Sequence, residues 1–186
     1  MYFNARSLLF LVVYAAAAAT KSDDLFEAVA ANSQTKLKLA LQNGADINSI
    51  MEGSGQTPLM NAVLSGKVQA VKYLLRKGAD VTIPEKDGYT PMHGAGFQGR
   101  SEIAKLLIKH GVPINDEHID GYNPIHRACW GREERHTDTV RVFLEGGAKL
   151  RGDELRATQN DRTKQLLIEW QERQQAIDGV VQSDDL

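Results

Sequence analysis

The line GYTPMHGAGFQG at Gly88–Gly99 returns as GYNPIHRACWG at Gly121–Gly131, 33 residues later. A fixed period of this length constrains the fold more than any other feature of the chain. Each copy must form one supersecondary unit that buries its apolar face on its neighbours. Thr57-Pro58-Leu59, Thr90-Pro91-Met92 and Asn123-Pro124-Ile125 stand in register. Behind them follow Ala62, Ala95 and Ala128, then an amphipathic run, then Gly78, Gly111 and Gly147. A degenerate earlier copy begins at Asp23, with Ala28 and Gly44 in the equivalent places. The last full copy is three residues longer, and the excess lies within Gly131–Arg135.

Each copy predicts two helices. Thr90 or Asn123 can accept from the free amides at the start of the first, and proline suits the first helical position, where no donor is needed. The second helix shows an apolar stripe at i, i+3, i+4 spacing: Val71, Leu74, Leu75, then Ala104, Leu107, Ile108, then Val140, Phe143, Leu144. The glycine behind it supplies a left-handed C-cap. Between copies, EKDGY and HIDGY place Asp-Gly where a tight turn needs positive φ.

These residues resemble the ankyrin repeat. TPLMNA, TPMHGA and NPIHRA match its TPLH line, and NGADIN and KGADVT match its GAD ending. The resemblance covers about residues 23–150, with Met60 in place of the motif histidine, Asn123 in place of threonine, and no motif in the first copy. It implies an all-α ankyrin-repeat solenoid of helix–turn–helix units with short β-turn or hairpin fingers. The domain then spans 22–170, with repeats at about 23–54, 57–89, 90–122 and 123–150 and a shortened C-terminal cap at 152–170. Polar residues in that cap are expected to close the open end of the stack, and residues 171–186 to form a flexible tail.

The N-terminus has a different character. MYFNARSLLFLVVYAAAAAT carries one positive charge, Arg6, then an apolar run from Leu8 to Ala19 ending in Ala17-Ala18-Ala19. That order predicts a secretory signal peptide over residues 1–19. Twelve apolar residues fall short of the ~20 that cross a bilayer as a helix. The expected address is the secretory pathway, extracellular or in the endoplasmic reticulum lumen, the latter because SDDL at the C-terminus loosely matches the retention tail KDEL. Two alternatives stay open: a cytoplasmic protein, since the ankyrin resemblance points to cytosol or nucleus, and an adaptor tethered by residues 1–19 as an uncleaved anchor.

The formal charge is −2, or −3 without Arg6, so no basic surplus draws in nucleic acid or anionic lipid. The single cysteine excludes an intramolecular disulfide. Cys129 and His126, three residues apart, raise the alternative of a thiol enzyme or a pair of metal ligands. Against it, His126 occupies the motif histidine's place, as His93 does one copy earlier. The resemblance gives that side chain the task of tying its own repeat's turn to the next. Cys129 aligns with Gly96 and Val63 at packing positions. His110, His118 and His136 lack zinc-like spacing, and the glycines are turn and cap residues, so no catalytic residue, metal or cofactor is expected.

The resemblance implies a protein partner, bound by the finger tips and the exposed side of the first helices. The period assigns those positions to Gln56, Tyr89 and Tyr122 before each helix, to Leu64, Phe97 and Trp130 near its end with Gln98 following, and to Lys86, Asp87, Ile119 and Asp120 at the tips. Neither tyrosine is needed to cap a helix or form a turn, and aromatic rings are common interface anchors. Phe97 and Trp130 have a second reading, as plugs of the seam between repeats. The expectation is a non-enzymatic, monomeric interaction module that binds another protein, with no nucleic acid and no stable membrane insertion after signal cleavage.

Overall fold

The structure is a computed structural model that describes the backbone of residues 21–184 and the side chains of residues 21–177. The signal-peptide segment, residues 1–19, lies outside the described residues. All regular structure among the described residues is helical. The chain divides into two compact units after Pro91.

The first unit contains α1 (helical residues 21–30), α2 (Gln34–Gln42), α3 (Pro58–Leu64) and α4 (Val68–Arg76). Leu25, Val29, Leu37, Leu59, Met60, Val71 and Leu74 form its core and are essentially excluded from water. Each such side chain contributes ~1.5–3 kcal/mol relative to exposure. As the sequence predicts, Thr57 caps α3, its hydroxyl accepting from the Met60 amide at 3.1 Å, with Pro58 at the first helical position.

The start of α4 is capped differently. Its N-cap residue, Lys67, makes no side-chain cap bond. Instead Asn32, in the turn between α1 and α2, accepts from the Ala70 amide through its Oδ1 at 2.9 Å. Asn32 sits at φ 49°, the left-handed region that asparagine tolerates better than most residues. One copy thus caps the helix of the next. Asn32→Ala is expected to lower stability by about 1 kcal/mol or somewhat more, because it removes a cap and strains a left-handed position. Asn32→Gly keeps the backbone and loses only the cap, so denaturant midpoints of the two variants separate the contributions.

The second unit contains α5 (Pro91–Phe97), α6 (Ser101–Lys109), α7 (Pro124–Cys129), α8 (Glu134–Glu145), α9 (Glu154–Ala157) and α10 (Asp161–Asp184). Its core is Met92, Ile103, Leu107, Ile125, Val140, Phe143 and Leu144, extended by Leu166 and Leu167 of α10, which packs on α8. Asn123 caps α7 through the His126 amide at 3.3 Å. The loops of successive copies are also joined: Asn115 Oδ1 accepts from the Lys149 amide at 2.8 Å, and its Nδ2 donates to the Gly147 carbonyl at 3.2 Å. Asn48 plays the same part in the first unit, accepting from the Asp80 amide at 2.9 Å.

The extra residues of the last copy add a turn to the start of α8, which has 12 residues against 9 in α4 and α6. That turn carries the buried His136, whose Nε2 lies 3.2 Å from the Phe97 carbonyl at the end of α5. Asn160 holds the extra turn from the other side, its Nδ2 donating to the Arg132 carbonyl at 3.0 Å.

The C-terminal segment is more regular than expected. Helix α10 continues through residues 171–184 in place of the expected flexible tail, because Gln, Glu, Arg and Ala favour helix and no proline stops them. Its residues 172–177 are exposed. In the cap, Glu154, Thr158 and Thr163 are buried. Thr163 pairs with Thr137 of α8 through their hydroxyls at 2.7 Å, and Glu154 accepts from the Arg151 and Gly152 amides.

Candidate functional site

Each finger is a turn stapled by backbone bonds. In the first unit, the Met51 amide donates to the Gln56 carbonyl and the Glu85 amide to the Tyr89 carbonyl, while the Lys86 amide donates to the Ser54 carbonyl of the preceding finger at 3.0 Å. The Glu85 carboxylate accepts from the Asp87 amide at 3.0 Å, which fixes the tip. Lys86 and Asp87 are exposed at that tip, and Gln56, Leu64 and Tyr89 are half-buried. Gln56 is held in place, its Oε1 accepting from Asn61 Nδ2 on α3 at 3.1 Å.

In the second unit, the His118 amide donates to the Tyr122 carbonyl and the Gly121 amide to the His118 carbonyl, forming the equivalent finger. Ile119 at its tip is 96% exposed, Phe97 at the end of α5 is 58% exposed, and Trp130 at the end of α7 is 37% exposed. Gln98 is half-buried. Three large apolar side chains therefore meet water on the finger and first-helix ends of this unit.

Tyr122 and Trp130 are brought together, their ring centroids 4.9 Å apart in an edge-to-face arrangement. Beside both rings lies Arg127 of α7, which no motif position singles out. Its guanidinium carbon is 4.6 Å from the Trp130 ring centre and 5.6 Å from that of Tyr122. Although only 5% exposed, Arg127 is paired: its guanidinium bonds the Asp120 carboxylate across the finger. That bond, followed by those from His118 and the Tyr122 amide, holds the Asp120 carboxyl well below the usual range despite an opposing desolvation effect. Tyr122 also lies against His126, with ring centres 5.4 Å apart. So Tyr122 and Asp120 take part in packing and pairing that the motif does not announce. The signal was available in one column of the repeat, where Asn61 and Gly94 precede Arg127 and only the last is a cation.

The two motif histidines are buried and behave as the resemblance implies. His93 bonds the backbone at Tyr122, in the next finger, and burial pushes its pKa down. His126 places Nδ1 2.8 Å from Asn123 Oδ1 and Nε2 2.9 Å from Asp153 Oδ1, so it too reaches the following element. Cys129 is fully buried in the same helix. Burial, and then the charges of Glu154 and Asp153, push its thiol up to about 12. At neutral pH the thiolate, which is the nucleophile, is therefore scarce. The burial of both side chains and the raised thiol speak against the Cys129–His126 pair as a thiol-enzyme site.

Helical pairs at a 33-residue period, capped by Thr or Asn before proline and closed by left-handed glycines, define a repeat scaffold. The family description "Ankyrin repeats (3 copies)" matches residues 25–118 and 84–154, and the chain belongs to the ankyrin-repeat family. No curated protein matches it. Members of this family serve as protein-interaction scaffolds and are generally non-enzymatic.

Proposed function

We propose that this protein is a non-enzymatic interaction module that enters the secretory pathway and, as a monomer, binds one protein partner through its finger tips and first-helix ends. The observation that carries the reading is the exposure of Phe97, Ile119 and Trp130 in the second compact unit, beside the Tyr122–Arg127 pair. Folding leaves Phe97, Ile119 and Trp130 in water, whereas an interface would bury them, and aromatic side chains are the usual anchors.

A photo-crosslinking side chain placed at Phe97 or Ile119 is expected to capture the partner. One at Lys105, on the exposed part of a second helix, is not. With the captured protein purified, Phe97→Ala should weaken binding about 30-fold, the equivalent of ~2 kcal/mol for one anchor, with little change in melting temperature. Capture confined to Lys105, or normal affinity of Phe97→Ala, places the binding surface elsewhere.

Entry into the secretory pathway rests on the ordered N-terminal features: Arg6, the apolar run and Ala17-Ala18-Ala19. Among the described residues, no helix is long and apolar enough to cross a membrane. Terminal sequencing of protein from its native cell is expected to begin at Thr20 or a close neighbour. An intact Met1 in soluble cytosolic protein would reject this address, and an intact Met1 in a membrane fraction would favour the tethered adaptor.

A further inference from the structure

His126, Asp153 and Glu154 converge at the junction of α7 and α9, with one potential ligand atom from each lying within 4.8 Å of the others. Asn123 Oδ1 faces His126 Nδ1 at 2.8 Å and also accepts from the His126 backbone amide at 3.3 Å. Two donors converging on that atom identify it as the amide oxygen, so Nδ1 carries the proton it donates. Nε2 then faces the two carboxylates, 2.9 Å from Asp153 Oδ1 and 3.4 Å from Glu154 Oε1.

The surroundings favour a cation. His126 and Glu154 are buried, whereas the Asp153 side chain is 55% exposed and opens the cluster to solvent. The two carboxylates give the cluster negative charge. The same carboxylates add to burial in raising the Cys129 thiol. Glu154 accepts one backbone amide on each oxygen, from Arg151 at 2.6 Å and Gly152 at 2.8 Å. Each oxygen keeps a second lone pair.

We propose that Nε2 of His126, Oδ1 of Asp153 and Oε1 of Glu154 bind a divalent ion of the zinc type, with water completing the coordination. Ligands ~2.0–2.1 Å from such an ion lie about 2.9 Å apart at a right angle and about 3.4 Å apart at a tetrahedral angle. The two nitrogen–oxygen separations observed are 2.9 and 3.4 Å. The bond from Nδ1–H to Asn123 is the orienting contact that metal-binding histidines usually have. One imidazole with two carboxylates suits Zn²⁺ or Co²⁺ better than Ca²⁺ or Mg²⁺, which prefer oxygen ligands alone. A charge of −2 on the carboxylates meets +2 on the ion, which leaves the cluster neutral. The ion would fasten α9, and the cap behind it, to the last full repeat.

The test is titration of the chelator-treated full chain with ZnCl₂ by calorimetry. One ion is expected to bind, and zinc is expected to raise the melting temperature. Asp153→Asn removes a ligand from a largely exposed position while its amide oxygen can still accept from Nε2, so the fold should survive. It should weaken zinc at least tenfold and abolish the thermal shift, and His126→Gln should abolish binding. The proposal is overturned if the wild-type chain takes up no zinc, if Asp153→Asn binds it as tightly as wild type, or if millimolar Mg²⁺ competes on equal terms.

Discussion

Replacing Gly96 by alanine is expected to destabilise the second unit by about 2 kcal/mol, although alanine is the better helix former by ~1 kcal/mol. Gly96 lies within α5, and a Cβ built there would sit 2.3 Å from the Pro124 carbonyl oxygen, with Phe143 at 3.2 Å and the Arg127 Cβ at 3.3 Å. The first of these neighbours is backbone, at the start of α7, and cannot rotate away. Relief requires α5 and α7 to separate, which opens the layer containing Met92, Ile125 and Phe143. Overpacking of this kind costs ~1–3 kcal/mol and sometimes more. Gly96→Val adds two methyl groups at the same point and is expected to unfold the unit at physiological temperature. Urea denaturation followed by circular dichroism measures both. A neutral or stabilising alanine would mean that the two helices do not approach so closely.

The contrast with Gly111 shows what a sequence can tell. Gly111 follows α6 at φ 83°, and a Cβ added there would have nothing within 4 Å, so its requirement is conformational alone. A conformational requirement recurs wherever the same cap recurs, which is why the period exposes it at Gly78, Gly111 and Gly147. The requirement at Gly96 is a collision with one oxygen of the next copy. Its column reads Val63, Gly96, Cys129, and nothing in that series predicts which neighbour comes close.

The helices, their order and their caps are legible because they depend on local chemistry repeated in register: hydroxyl or amide before proline, an apolar stripe, then glycine. Features joining copies are less so. Asn32 stands where later copies have Gly66 and Gly99, all three at positive φ. Only the folded chain shows that its side chain also caps α4. The period assigns the binding face one column per repeat. Within the second unit, the side chains instead form a cross-linked group, because Tyr122 of the finger packs on Trp130 at the far end of the same α7. Arg127 escapes the sequence for a related reason. A charged residue amid apolar helix positions has no motif, and its pairing with Asp120 depends on how the finger folds back over the helix.

Arg127→Ala is expected to cost about 3 kcal/mol, the larger part of it electrostatic. The change removes a charge-assisted bond to Asp120, worth ~1.5–3 kcal/mol, and a cation over two rings, worth ~0.5–2 kcal/mol. These contributions share one side chain and do not simply add. Asp120 moderates the loss, since its carboxylate is 35% exposed and water can replace the guanidinium. Arg127→Met retains the stem's packing against Tyr122 and Trp130 and should recover about 1 kcal/mol. Arg127→Lys should recover little more, because an ammonium lacks the planar fork that stacks and pairs at once. The pH dependence separates charge from packing. The folded-state pKa of Asp120 lies below its unfolded value, chiefly through Arg127. Its contribution is therefore complete above the unfolded carboxylate pKa of ~3.9 and is lost as pH falls from there towards the folded value. Denaturation midpoints followed from pH 7 to pH 3 should show the wild-type advantage over Arg127→Met shrinking below about pH 4, with a parallel loss in Asp120→Asn near neutrality. An advantage that stayed constant across this range would assign Arg127 to packing alone.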